Sequence, residues 1–423
     1  MKLQIIILGG GFGGLSAFLY LQKHNKGDFT ITIVDKNDYH FYHPNIYEVA
    51  TAFLDDKKIN NHKSLIQSVC LPIKEIIETD DRSKLITDEI TNISFNPKQI
   101  SLKSGSVIQY DYLILALGSE TNYFDIKNAE KYSLSLKNID DTLKIKKTVE
   151  EVLEKNKDKT KEIKIIIAGG GFTGLELASE LIFFTKKILE TDSRTKSFLT
   201  DPRSNQKVKI SIIEACSVIL PSANEKVRKL AMDRLEKLGL EIKFNSPIKK
   251  VNKNSIILDN PLKEKIDFDI LIWTTGITPP SIIKNIDGLK LKNSCIFVDQ
   301  YLNVGNLKNI FAIGDNSFCE NNTGNKIPAT AYHAIDQGKI AAQNIIKSME
   351  NKPLINYRPR PDFLAIPLGA KYAIVDLKFT IISGLLGWLI RQLISLKYFL
   401  TIFPFFKAMK LWFSSIKIFI KND

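Results

Sequence analysis

Residues 5–15 read IIILGGGFGGL, a β-branched apolar run that breaks into glycines and then resumes as a helical pattern. A run such as Ile5-Ile6-Ile7 suits a strand buried on both faces. Gly9, Gly11 and Gly14 follow at G-x-G-x-x-G spacing, and each has a steric task. Gly9 permits the tight turn, Gly11 lets the backbone approach a pyrophosphate, and Gly14 lets the helix pack on the strand. Phe12 and Gly13 complete the loop, where free amides at the helix start meet phosphate charge. A second buried run, residues 31–34, ends at Asp35, where a ribose hydroxyl would be held. The glycines alone fit a plain turn; with strand, helix and acid they predict a dinucleotide site.

The opening unit recurs. Residues 163–167 form a β-branched run, Gly169, Gly171 and Gly174 repeat the spacing, and residues 209–213 end at the acid Glu214. Glu214 lies farther from its glycines than the usual interval of about 20 residues. A long helical pattern at 176–189 and a polar stretch at 191–206 account for the excess. An acid with no Arg directly after it favours a free ribose hydroxyl, so the second site suits NAD(H) better than NADP(H).

The rest of the chain is punctuated by strand ends. Segments between 71 and 111 alternate like a β-meander, then residues 110–119 form a buried strand that closes at Ala116-Leu117-Gly118-Ser119. A second alternating region, 241–270, leads to Thr274-Thr275-Gly276, and residues 309–315 form a strand ending in Gly314-Asp315. Asp315 is placed to accept a hydrogen bond from a polyol, or to serve as a turn or N-cap residue. After Asp35 the segment 38–51 is read as a loop followed by a helix, because its histidines and aromatics crowd Pro44. His40 and His43 have no further His or Cys nearby, which argues against a metal.

At 423 residues the chain should form two or three domains. The four cysteines, Cys70, Cys216, Cys295 and Cys319, contain no C-x-x-C pair, which argues against a disulfide framework, zinc or a thioredoxin-type site. Met1 leads directly into the glycine loop, so the expectation is a chain without a cleaved leader, in the cytoplasm. The net charge of +13 is spread through mixed-sign segments such as 144–161, and no nucleic-acid motif is visible, so no nucleic-acid partner is expected.

Taken in order, these features resemble the two-dinucleotide-binding-domain flavoproteins of the glutathione-reductase type. Within that superfamily the chain is similar to the type II NADH:quinone oxidoreductases. Residues 40–51 resemble that family's H-x-F-x-P-L-x-Y-x-V-A-T segment, 169–178 its G-G-G-x-T-G-x-E-L-A, 328–331 its P-P-T-A, and 384–398 its C-terminal helix start. The resemblance implies an α/β fold: two Rossmann-like domains with β-meander insertions and a C-terminal amphipathic helical membrane anchor. The implied division is 1–120 and 281–350 for FAD, 121–280 for NADH, and 351–423 for the membrane region.

It also implies FAD at Gly9 through Gly14, Asp35, His43, Ala116, Gly118, Gly314 and Asp315, and NADH at Gly169, Gly171, Gly174, Glu214 and Gly276, with Ala331 and Lys371 cofactor-facing. Glu176, at the start of the helix after the second glycine loop, is the candidate catalytic carboxylate, relaying protons to a quinol; otherwise it only complements the helix dipole. Where the family's quinone motif reads A-Q-x-x-x-Q, this chain has Ala331-Tyr332-His333-Ala334-Ile335-Asp336, with both glutamines replaced. Tyr332, His333, Asp336 and Lys371 are therefore the candidates at the quinone end. A sulfide:quinone oxidoreductase shares the plan but needs paired redox cysteines near the flavin, and none lies between Cys70 and Cys216 or after Cys319. A reductase of another quinone, or a slow redox-sensing flavoprotein, is the remaining alternative.

The tail turns aromatic and basic. The uncharged run 379–390 stops at Arg391, short of the roughly 20 apolar residues a spanning helix needs. After Pro404, Lys407, Lys410, Ser414, Lys417 and Lys421 recur at spacings of three or four beside Trp412, Phe413, Ile416, Phe419 and Ile420. This predicts a helix lying in an anionic membrane surface, on the cytoplasmic face of the inner membrane, or one meeting a second copy in a homodimer.

Overall fold

The structure is a computed structural model and describes residues 2–53, 60–156, 161–191, 208–321, 324–360 and 363–420. The chain divides into two compact units. The first comprises Met1–Phe41, Cys70–Glu120 and Ile277–Asp362; the second comprises Tyr42–Val69, Thr121–Gly276 and Phe363–Asp423.

In the first unit Leu3–Leu8 runs parallel between Phe29–Asp35 and Tyr112–Leu115, with Ile7 opposite both Ile33 and Ile114. Ser83–Thr87 extends one side and Leu307–Ala312 the other, both parallel, and Asn303–Val304 closes that edge antiparallel. Ile5 to Leu8 are at most 1% exposed, which is why the run is unbroken by polar residues. Burying each such side chain contributes about 1.5–3 kcal/mol. The helices Phe12–His24 and Ala331–Met349 pack together closely, since a Cβ on Gly338 would stand 2.2 Å from the Gly13 carbonyl oxygen. Ile90–Phe95, Lys98–Leu102 and Val107–Gln109 form the antiparallel meander that the alternation predicts.

The second unit repeats the plan. Its parallel sheet runs Leu134–Ser135, Ile270–Trp273, Ile163–Ala168, Val208–Ile213 and Glu241–Lys243, with Ile167 opposite Ile212 and Ile272. An antiparallel trio, Ile248–Asn252, Ser255–Leu258 and Lys265–Asp267, packs Ile256 and Leu258 into a core with Trp273. A further trio, Leu364–Pro367, Ala373–Asp376 and Ile381–Gly384, leads into the helices Leu385–Ile402 and Phe405–Phe419. The polar stretch expected at 191–206 lies almost wholly outside the described residues.

Two expectations change. Residues 42–69 belong with the second unit, as does everything from Phe363 onward, so neither the 1–120 domain nor the 351–423 region stands as drawn. The cause is packing: the helix Ile46–Thr51 lies against Ile139–Lys155 and Phe172–Thr191, contacts that no local pattern encodes. The segment after Asp35 does contain that helix, but Tyr39–Phe41 is a short strand paired with Cys70–Pro72 rather than loop. Three residues are too few to declare an alternation.

Candidate functional site

Each unit presents the same construction. In the first, Gly9 has φ +108°, and a Cβ there would stand 2.2 Å from the Ala116 carbonyl oxygen; on Gly14 it would stand 1.9 Å from that of Gly9. A Cβ on Gly11 meets nothing within 4 Å, so the backbone there is open to a phosphate. The Gly10 amide donates to Asp35 Oδ2 at 2.6 Å, and the Asn37 amide to Oδ1 at 2.8 Å. Burial pushes the Asp35 carboxyl above its ordinary value, opposed by those two amides.

The second unit repeats the glycine turn and its amide-to-carboxylate tie. Gly169 has φ +106°, a Cβ on Gly174 would stand 2.0 Å from the Gly169 carbonyl oxygen, and Gly171 is open. The Gly170 amide donates to Glu214 Oε2 at 2.5 Å, and that of Cys216 to Oε1 at 2.7 Å. Thr274 Oγ1 donates to the Ala168 carbonyl at 2.8 Å, binding the strand end before Gly276 to the loop. Gly276, at φ +68°, leaves a Cβ only 2.3 Å from the Phe124 ring.

Around the first loop the structure adds partners the sequence did not single out. Ser119 Oγ donates to Asp315 Oδ2 at 2.6 Å, the Gly118 amide donates to Asn316 Oδ1 at 3.1 Å, and the Gly314 amide donates to Gln337 Oε1 at 2.7 Å. Asn316 and Gln337 are almost fully buried. Their signal was polar residues inside apolar surroundings. His40, not His43, joins this loop: its Nδ1 lies 3.0 Å from the Gly10 carbonyl and its ring stands edge-on to Phe12. Burial pushes the His40 imidazole down to about 4, so it is neutral and Nδ1 is the donor. His43 belongs to the second unit, where Nε2 lies 3.1 Å from the Lys137 carbonyl.

Ala331 opens the helix Ala331–Met349, whose start is capped by Thr330 accepting from the His333 amide at 3.3 Å. His333 is buried with Nδ1 3.2 Å from the Tyr357 hydroxyl, and Asp336 lies 3.8 Å from Arg360. Tyr332 stands edge-on to His333. Both residues that replace the family's glutamines, Tyr332 and Asp336, thus sit on this first-unit helix, as does His333.

Glu176 sits in the second unit on the helix Phe172–Thr191, partly buried beside Glu48, Tyr47 and Arg391. Burial pushes its carboxyl up to about 8; Arg391 pulls down and Glu48 pushes up. Arg391 is 6% exposed and donates to the Pro44 carbonyl at 2.7 Å, to Asn45 Oδ1 at 2.9 Å and to Ser395 Oγ. Burial opposes its charge, but Tyr47, Tyr42, Glu176 and Glu48 more than offset that and raise it. Tyr47 donates to Glu48 Oε1 at 3.2 Å. Sequence reading took Arg391 only as the end of an apolar run; a lone cation inside such a run was the missed signal. Lys371 is exposed in a turn held by Arg234, which donates to the Leu368 and Gly369 carbonyls at 3.0 Å each. That turn packs on the helix of Glu176, since a Cβ on Gly369 would stand 2.6 Å from Phe183.

The tail differs in detail from the expectation. Leu385–Ile402 is, by length and composition, long and apolar enough to cross a membrane, with mean hydropathy 1.3 and 28% of it buried. Its inner face, Arg391, Gln392, Ser395 and Phe399, is buried, while Leu386, Leu389, Leu393 and Leu400 form an exposed stripe. On Phe405–Phe419 the buried residues are Ala408, Ser415, Ile418 and Phe419, and Trp412 Nε1 donates to the Gln392 carbonyl at 2.8 Å. The outer stripe is mixed, Phe406, Lys410, Phe413 and Lys417, rather than a basic stripe beside a separate aromatic face.

A model of the pyridine nucleotide-disulphide oxidoreductase family matches residues 3–338. A type II NADH:quinone oxidoreductase of Staphylococcus haemolyticus is 28% identical over 375 residues, covering 86% of each chain. A probable NADH dehydrogenase of Dictyostelium discoideum is 27% identical over 405 residues, 91% of this chain and 83% of its own. Among solved structures, NDH2 from Plasmodium falciparum in complex with NADH superposes with TM-score 0.81 at 20% identity, over 100% of this chain and 98% of that one. The sulfide:quinone oxidoreductase of Aquifex aeolicus gives 0.74 at 17% identity, over 97% and 92%. At such identities these two likenesses speak to the fold alone.

Proposed function

The chain belongs to the pyridine nucleotide-disulphide oxidoreductase family, and from that premise we infer that it is an FAD-dependent NADH:quinone oxidoreductase of the type II class. The observation that carries the reading is the repeated loop: two glycine turns, each with an open third position and each bound through its next amide to an acid at the following strand end. FAD fits the first, where Gly11 leaves room for the pyrophosphate, Asp35 faces the ribose, and Asp315 stands at the strand end for the polyol. NADH fits the second, where Glu214 is a carboxylate with no Arg directly after it. FAD held at the first loop would supply the redox chemistry, hydride acceptance from NADH and return of two electrons to a membrane quinone.

The protein's own share is binding, orientation and proton handling. Glu176 is protonated at neutral pH, so it offers a proton toward a reduced quinone, and the half-buried carboxylate of Glu48 beside it is the group able to return one, while Arg391 keeps its charge and Tyr47 its proton. Tyr332 serves the quinone end, and His333 and Asp336, engaged by Tyr357 and Arg360, shape the helix that carries it. The leucine stripe of Leu385–Ile402 and the Phe and Lys stripe of Phe405–Phe419 dock the enzyme on an anionic membrane at its cytoplasmic face. In this reading the electrons pass to the quinone without proton pumping.

Stopped-flow mixing tests this reading. NADH is expected to bleach the flavin faster than NADPH, and a panel of quinones to restore it. Absence of bleaching by NADH would overturn the reading, and restoration by none of the quinones would remove the acceptor assignment.

A further inference from the structure

The mechanism above uses no cysteine, yet one has an amine in place at its sulfur. Cys295 follows a two-residue turn, Asn293-Ser294, whose φ values of +50° and +62° fold Leu291–Lys292 back on Cys295–Phe297 in register, with Lys292 opposite Cys295. Lys326 is fixed from the other side by a bridge to Glu320 and by the Ile327 amide donating to the Cys319 carbonyl at 2.9 Å. These two backbone pairings bring Lys326 Nζ to 3.0 Å from Cys295 Sγ. Both atoms converge on the Asp315 carbonyl, Nζ at 3.2 Å and Sγ at 3.8 Å.

We propose that Cys295 and Lys326 form a peroxide-driven N–O–S cross-link, a covalent modification that staples the segment carrying Gly314 and Asp315. In the first step Cys295 sulfur attacks hydrogen peroxide; the O–O bond breaks, an S–O bond forms, and the sulfenic acid and one water result. In the second step another peroxide oxidises the pair. An N–O bond forms between Lys326 Nζ and the sulfenic oxygen, and the hydrogens of N–H and O–H leave with the peroxide oxygens as two waters. Each peroxide takes up two electrons, so sulfur and nitrogen together lose four. The net change in the chain is one oxygen gained and two hydrogens lost.

The other cysteines are set apart from this chemistry. Burial, with Asp299 and Glu320, pushes the Cys319 thiol up to about 12, and Glu214 raises that of exposed Cys216. Cys295 is 4% exposed, which disfavours bulky oxidants but not one the size of water. The cross-link closes a loop from 295 to 326 that contains the strand Leu307–Ala312 and the Gly314–Asn316 turn.

The test treats the purified full-length protein with excess hydrogen peroxide and follows intact mass, peptide map and thermal midpoint. The expected result is a gain of about 14 Da reversed by dithiothreitol, one peptide pair joined through 295 and 326, and a midpoint raised by roughly 3 °C. Cys295→Ser and Lys326→Arg, the second keeping the cation, should each lose the joined peptide and the midpoint rise. The proposal falls if Cys295 is recovered as sulfinic acid with Lys326 unmodified, if it stays a thiol, or if the joined peptide persists in Lys326→Arg.

Discussion

Glu176 titrates in a window where no ordinary glutamate does, and this gives it a measurable signature. Its carboxyl holds a proton up to about pH 8 when folded, against an ordinary value of 4.5. Between those values the folded chain binds more protons than the unfolded one, so stability falls as pH rises through that range. Glu176→Gln should flatten that decline in thermal midpoint and lower steady-state quinone reduction by about 100-fold; unchanged NADH oxidation and quinone reduction would remove the relay. Because Arg391 pulls the Glu176 carboxyl down, Arg391→Met should shift the window to higher pH. The same substitution leaves the Pro44 carbonyl and the Asn45 side chain without their guanidinium, at a cost of about 2–4 kcal/mol in urea unfolding.

At the level of elements, the glycine loops were legible because their steric demands are local. Gly14 abuts the backbone of Gly9 five residues before it and Gly9 that of Ala116 on the adjacent strand, so the spacing, read with the strand, helix and acid around it, reports them. Gly14→Ala forces a Cβ to 1.9 Å from the Gly9 carbonyl oxygen, and the purified variant should lose most of its bound flavin, read as the ratio of visible to ultraviolet absorbance. The tail helices were only half legible. Their amphipathicity was visible, but which face turns inward depends on Trp412 reaching the Gln392 carbonyl and Arg391 reaching Pro44, partners distant or unpatterned in sequence. The exposed leucines give the sharper test: Leu386→Ser with Leu389→Ser and Leu393→Ser should reduce sedimentation with anionic vesicles at least tenfold while leaving flavin reduction by NADH unchanged. Undiminished vesicle binding, together with loss of a dimer in sizing, would assign the stripe to a second copy instead.

Over the whole molecule, the duplicated plan could be read from sequence, whereas the assignment of Tyr42–Val69 to the second unit could not. Parallel sheets announce themselves as β-branched runs closing on glycines; a connector's allegiance depends on which helices its buried side chains meet. Surface charge was legible too, and with +13 overall, vesicle binding should weaken as ionic strength rises from 50 to 500 mM salt, a range over which screening shortens from roughly 14 to 4 Å. The duplication has a consequence for anyone redesigning coenzyme preference. Since each strand-end acid also anchors the amide of its own turn, the residue proposed to read the nucleotide is at the same time a tie rod of that turn. Exchanging Glu214 for a neutral or basic residue to admit a 2′-phosphate would therefore loosen the seat while altering the lock. A successful conversion would first need a new acceptor for the Gly170 amide, supplied from elsewhere in the turn.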